Sequence, residues 1–166
     1  METVTTYIGI DNGVSGSIAI LPSNGRTVFA PMPTKREQNY TKRKDNITRI
    51  DHEEFYSLIS ECNPTRTRVF VERPMVNPGR FKATRSALRA LEAVLVVLEE
   101  VGLSVQYMDS RQWQSALLPK GCKGAELKRK SRDIGCRLFP HFRKLIQKHK
   151  DADSLLIAEY ARRNAL

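Results

Sequence analysis

Four carboxylates stand where this chain leaves or enters an apolar segment. Asp11 ends the run Y-I-G-I-D at 7–11, and Glu72 follows T-R-V-F-V at 67–71. Asp151 and Asp153 open the last apolar stretch. Carboxylates that converge in an apolar wall repel one another unless a cation neutralises them. Hard oxygen donors without a Cys or His majority favour Mg²⁺ or Mn²⁺ over zinc. Two such ions about 3.5–4 Å apart activate water and stabilise the leaving oxygen in phosphodiester hydrolysis. Each acid alone is ordinary. A strand-end acid is more often a turn residue or a salt-bridge partner, and an Asp at a helix start is more often a cap. The set, in this order and these contexts, is what points to a metal centre.

The surrounding elements are expected to bring the acids together. Tyr7 to Asp11, Ser17 to Leu21 and Thr27 to Ala30 read as short apolar strands, separated by the turn signals Asn12-Gly13 and Ser23-Asn24-Gly25. They open the chain as an antiparallel meander. Residues 33–50 are polar and basic and read as a long loop. Asp51, with Glu54 three residues on, resembles a capping box. Phe55, Leu58, Ile59 and Cys62 then make one helical stripe, stopped by Asn63-Pro64. Thr67 to Val71 is a fourth strand. Residues 83–101 form the longest helix, stopped by Gly102, and Val105 to Tyr107 a fifth strand. Asp109-Ser110 starts a short helix carrying Trp113, which reads as a core residue. Residues 124–138 form a basic helix with Leu127, Ile134 and Leu138 inward, and residues 152–163 the last helix. The order βββ-α-β-α-β-α-α-α predicts an α/β fold: a mixed five-stranded sheet, meander plus parallel strands, flanked by helices. Strands one and four, joined through an α-crossover, can lie parallel and adjacent, with Asp11 and Glu72 side by side. A helix starting nearby adds Asp151 or Asp153.

Size and charge narrow the function. At 166 residues, with no repeat, low-complexity run or Gly/Ser linker, residues 1–166 are expected to form one domain. A content of 40% hydrophobic and 28% charged residues argues against disorder. The longest apolar run, Ala93 to Leu98, is too short to span a bilayer. Met1 to Tyr7 lacks a basic region followed by an apolar stretch, so no signal peptide is read. The expected location is the cytoplasm. Cys62, Cys122 and Cys136 are odd in number and lack Cys-x-x-Cys spacing, which predicts reduced thiols. Net charge is +10, and it is concentrated. Lys120 to Lys150 holds eleven Lys/Arg against two acids, and Pro33 to Ile50 six against two. Two basic stretches on a slightly acidic body predict a polyanion partner. A basic surface beside an acidic metal site points to a nuclease.

The residues also carry a family resemblance that covers nearly the whole chain except the 33–50 segment. Y-I-G-I-D-N-G-V-S-G-S-I-A-I at 7–20 resembles the first metal-ligand strand of RuvC-type Holliday-junction resolvases, and V-F-V-E-R-P at 69–74 their second motif. The segment 87–102 is similar to their long helix, E-L-K-R-K-S-R-D at 126–133 to their basic helix, and D-A-D-S-L-L-I-A-E-Y at 151–160 to their closing acidic motif. The compact length resembles phage-encoded members, whose setting is the cytoplasm of a bacterial host. The resemblance implies an RNase H-like fold and a Mg²⁺-dependent, structure-selective endonuclease of branched DNA. It implies two ions per site (Mn²⁺ able to substitute), with ligands at Asp11, Glu72 and Asp153. Many relatives carry an acid or a His three residues before the last Asp. Here that position is Lys150, and Asp151 or His149 could substitute. A regular helix turns residues 151 and 153 about 200° apart, so both serve one site only if Asp151 precedes the first turn. His149 otherwise reads as a plain surface residue. Some relatives place an aromatic wedge three positions past the Glu; here Met75 stands there, an apolar side chain able to wedge into DNA.

The helix 83–101 is apolar almost all round toward its end, which predicts cover on a second side by a second subunit, hence a homodimer. Arg80, Lys82 and Arg85 lead into it. With Lys120, Lys123, Lys128, Arg129, Lys130 and Arg132 they are expected to contact phosphates, and Lys128 or Lys130 to lie near the scissile one. Two rival readings remain. G-I-D-N-G-V-S-G-S also resembles the phosphate-loop strand of sugar-kinase and actin-like ATPases, which need two such domains. A non-catalytic branched-DNA-binding module is the other, and Lys150 leaves room for it.

Overall fold

The opening apolar runs pair as a meander: β1 (Thr6–Asp11), β2 (Ser17–Pro22) and β3 (Val28–Pro31), each antiparallel to the next. The structure is a computed structural model that describes residue 3 and residues 5–166; the segment in which no signal peptide is read lies partly outside them. Helix α1 (His52–Ile59) carries the chain across to β6 (Thr67–Glu72), which lies parallel to β1. Helix α2 (Phe81–Val101), preceded by a short 3₁₀ turn over Pro78–Arg80, returns it to β7 (Val105–Met108), parallel to β6. The sheet order is β3-β2-β1-β6-β7, the mixed five-stranded sheet expected from the pattern.

Successive strand side chains point to opposite faces, so a sheet covered on both sides needs continuous apolar runs. Ile8, Ile10, Ile18, Ile20, Val69 and Val71 pack on one face with Phe55 and Ile59 of α1 and Val94, Val97 and Leu98 of α2. Ala19, Leu21 and Phe70 pack on the other. Their partners come from α3 (Ser110–Leu117), α4 (Ala125–Leu138) and α6 (Asp153–Arg163), including Trp113, Cys136, Leu155 and Ala158. The same alternation directs Asp11 and Glu72, like Gly9 and Phe70, toward the α6 face.

The chain departs from the expected pattern in several places. Residues 33–50 are a two-stranded hairpin, β4 (Thr34–Gln38) and β5 (Asn46–Ile50), rather than a loop. Polar T-K-R-E-Q has no apolar alternation. The hairpin is held instead by its ladder, by a cross-strand Arg49–Glu37 ion pair at 2.6 Å and by burial of Ile50 at its root. A further helix, α5 (Arg143–His149), precedes α6; it is short and buries only Ile146. Asp51 caps α1 as expected, accepting the Glu54 N–H at 3.3 Å, but α1 ends before Cys62. Helix α2 begins two residues early, at Phe81. In α4, Leu127 and Ile134 are only half-buried and Leu138 is exposed, while Ser131, Gly135 and Cys136 face inward. All three cysteines are free thiols. No helix among the described residues is long and apolar enough to cross a membrane.

Candidate metal centre

The β1–β6 register pairs Ile10 with Val71, so Asp11 and Glu72 stand level at the carboxyl ends of neighbouring parallel strands. Helix α6 brings the other two acids to them. It lies so close on β1 that a Cβ at Gly9 would overlap the Ser154 carbonyl, and the Ser17 hydroxyl donates to Ser154 Oγ at 2.7 Å. Helix α4 closes over the start of α6 in the same manner, since a Cβ at Gly135 would overlap Ala152. One turn away on α4, the Ser131 hydroxyl hydrogen-bonds Asp153 Oδ1, and the Ala152 N–H donates back to Ser131 Oγ at 3.1 Å. Helical φ/ψ begins at Asp153. Asp151 lies before the first turn, and its Oδ1 accepts the Asp153 N–H at 3.2 Å. Two acids that a regular helix would point apart are thereby turned to one side.

Asp11, Asp151 and Asp153 each offer a carboxylate oxygen, and these oxygens lie within 4.8 Å of one another. Glu72 adjoins this trio without being part of it. Its Oε2 accepts the indole N–H of Trp113 at 3.0 Å. Burial first, then Asp153, pushes the Asp11 carboxyl well above the usual range, with Lys128 opposing. Asp153 is also raised, by burial and then by Asp151, against the pull of Lys128 and Ser131. Burial pushes Glu72 up to about 7 in spite of the Trp113 hydrogen bond.

Lys128 answers this crowding. Its Nζ lies 2.7 Å from Asp153 Oδ2, 2.9 Å from Asp151 Oδ2 and 3.9 Å from Asp11 Oδ2. Burial works against its charge, but Asp153, Asp11 and Asp151 outweigh it and hold the ammonium above the ordinary lysine range. The side chain expected on the phosphate-facing surface is turned into the carboxylates. His149, read as a surface residue, is largely buried. Its Nε2 lies 3.7 Å from Asp151 Oδ1 with no hydrogen-bond partner, and its ring meets the edge of Phe29. Lys150 takes a left-handed turn (φ +80°) at the end of α5, which tucks His149 inward and leaves the Lys150 side chain exposed.

The donor set fits a hard divalent cation. It consists of carboxylate oxygens, it is buried, and the ammonium of Lys128 already stands among three of them as a tethered positive charge. Ser131 and the Trp113–Glu72 hydrogen bond were not legible as site features. A serine three residues after a lysine and four before a glycine marks the close-packed face of a polar helix. A buried Trp implies a partner for its N–H without naming it.

Of the other expected contacts, Met75 and Arg80 share a groove with Glu72. The groove leads away past Asn12, Thr84 and Ala87. Met75 is 80% exposed at its edge. Arg80, Lys82 and Arg85 are exposed at the start of α2, as are Lys120, Lys123 and Arg129 beside and on α4; Lys130 and Arg132 are half-buried.

No protein-family model and no curated protein matches the sequence. Among solved structures, the chain is similar to Thermus thermophilus RuvC in complex with Holliday junction substrate, at 19% identity and a TM-score of 0.55, over 96% of each chain. It is likewise similar to a second structure of Thermus thermophilus RuvC, at 19% identity and a TM-score of 0.52, again over 96% of each chain. The fold is therefore that of RuvC, the RNase H-like arrangement that the motifs resemble.

Proposed function

We propose that residues 1–166 form a single metal-dependent endonuclease domain that cleaves branched DNA, such as Holliday junctions, by phosphodiester hydrolysis. The observation that carries this reading is the buried trio Asp11, Asp151 and Asp153, with Glu72 beside it, at the carboxyl ends of parallel strands in a RuvC fold. Asp11, Glu72, Asp151 and Asp153 would hold Mg²⁺, two ions per site, with Mn²⁺ able to substitute. Such ions supply activation of water and neutralisation of the charge on the leaving oxygen. Ser131 orients Asp153, and Trp113 orients Glu72. His149 backs Asp151 and is the alternative donor at that side.

The cationic rim supports a phosphate-bearing substrate. Arg80, Lys82, Arg85, Lys123, Arg129, Lys130 and Arg132 hold the backbone, and Met75 projects where an apolar wedge can enter the branch. The proposed location is the cytoplasm, that of a bacterial host if the chain is phage-encoded. Helix α2 presents Phe81, Leu88 and Val96 to solvent, a stripe suited to a second copy of the chain, so that two sites cut two strands symmetrically.

The test is cleavage of labelled four-way junction, replication fork and linear duplex, each with Mg²⁺, Mn²⁺ or EDTA. Metal-dependent cutting of branched DNA, abolished in Asp153→Asn, is expected. Tight binding without cutting in any metal would leave a DNA-binding module, and ATP hydrolysis without DNA would point to the ATPase reading.

A further inference from the structure

Hairpin β4–β5 is strongly charged and takes no part in the chemistry described above. Its root is fixed: Ile50 is buried, the Asp51 N–H donates to the Pro33 carbonyl at 2.9 Å, and β5 packs on α2. Along the strands, Glu37 sits between Arg49 at 2.6 Å and Lys35 at 3.3 Å. The cations at the tip, Lys42, Arg43 and Lys44, have no ion pair among the described residues. The tip is nonetheless ordered. Asn39 Oδ1 accepts from the Thr41 N–H at 3.0 Å and its hydroxyl at 2.6 Å, and the Lys44 N–H donates to the Thr41 carbonyl at 2.9 Å. This turn holds Tyr40 out with 95% of its surface exposed.

The hairpin also forms one wall of a groove whose other wall is α2. Arg49 and Tyr40 line it from the hairpin, Arg85 and Arg89 from the helix. Arg85 and Arg89 are one helical turn apart and have no carboxylate partner among the described residues. Like charges at that spacing are destabilising unless an anion lies between them. The same turns of α2 present Thr84 and Ala87 to the groove that leads from Glu72. The two grooves thus flank one helix.

We propose that hairpin β4–β5 forms a second DNA-backbone site. In it the tip cations grip phosphates beside the cut strand, and Tyr40 stacks on a base left unpaired at the branch. The proposal rests on the branched-DNA reading and adds to it the surface that distinguishes a branch from plain duplex. An aromatic ring at the end of a cationic ribbon suits unpaired bases, because every base offers a stacking face while the phosphates supply the affinity.

The test is a salt titration of binding to labelled four-way junction and to linear duplex in EDTA. It compares wild type, Tyr40→Ala and the triple variant Lys42→Gln/Arg43→Gln/Lys44→Gln, with cleavage measured at saturating DNA. All four positions are exposed, so the fold is not at risk. The triple variant is expected to flatten the slope of log K against log salt by about 2 to 3. Tyr40→Ala is expected to weaken junction binding about tenfold and duplex binding little. Cleavage at saturation should not change. A wild-type slope and junction preference in both variants, or a change of oligomeric state alone, overturns the proposal while wild type still cuts junctions. Failure of wild type to bind any DNA overturns the nuclease reading and the hairpin site together.

Discussion

The Lys128 ammonium stands 2.7 Å from Asp153 Oδ2 and 2.9 Å from Asp151 Oδ2. It is a tethered cation in a cluster whose carboxylates need positive charge. A divalent ion entering the cluster would compete with it for the same oxygens, so Lys128 is expected both to hold the metal-free site together and to oppose loading. In Lys128→Met the metal-free protein should lose about 1–2 kcal/mol, roughly 2–8 °C in Tm for a chain of this size. Mn²⁺ should bind several-fold tighter, read by calorimetry without DNA. Weaker Mn²⁺ binding would show that Lys128 organises the ligands instead of competing for them.

The raised carboxyls make stability depend on pH. Glu72 moves from an ordinary 4.5 to about 7, and Asp11 and Asp153 move the same way. A carboxyl raised in the folded state binds its proton more tightly there than in the unfolded chain. Its favourable contribution is present below about 4.5 and lost as pH rises through about 7. Metal-free protein should therefore lose stability from this site between pH 5 and pH 8, on the order of 2 kcal/mol for Glu72. Mg²⁺ should restore it at pH 8 and do little at pH 5, where Glu72 keeps its proton. Calorimetric scans of wild type and Glu72→Gln isolate the effect, because the variant should lack that part of the slope.

What could be read in advance was set by local apolar pattern. The runs ending at Asp11 and Glu72 are continuous because both faces of β1 and β6 are covered, and their adjacency follows from the crossover rule. The position of Asp151 before the helix was legible as a requirement and is met by its cap-like bond to the Asp153 N–H. The hairpin was not legible, because Thr34–Gln38 is held by its ladder and ion pairs rather than by apolar alternation. Helix α5 buries a single residue, Ile146, and so has almost no stripe. The inward turn of His149 depends on the left-handed Lys150, a backbone state that side-chain type does not announce. The inward reach of Lys128 depends on Gly135 letting α4 approach Ala152, a long-range contact.

Trp113 is fully buried and donates to Glu72, so it acts on the site through that carboxylate. Trp113→Phe keeps an aromatic core and removes the donor. Stability should fall by about 1–3 kcal/mol. Single-turnover cleavage should fall about tenfold or more, with junction affinity in EDTA unchanged. Since the hydrogen bond lowers the Glu72 carboxyl, its loss should also move the acid limb of the pH–rate profile upward. A rate loss that leaves this limb in place would mean that Trp113 contributes packing alone.

Helix α2 buries Ala90, Val94, Val97 and Leu98 against the sheet and leaves Phe81 67%, Leu88 43% and Val96 53% exposed. These three recur at spacings of seven and eight, so they lie along one stripe of the helix. A stripe of this kind meets its own copy across a two-fold axis, where each residue faces its equivalent or a near neighbour. Leu88→Glu would then place like charges together at the centre of that contact, while costing the exposed monomer little. Sedimentation equilibrium should show wild type as a dimer and Leu88→Glu as a monomer with an unchanged far-UV spectrum. Paired cuts in a four-way junction should become independent single nicks in the variant. A wild type that sediments as a monomer at every concentration tested, yet still makes paired cuts, would rule out the dimer.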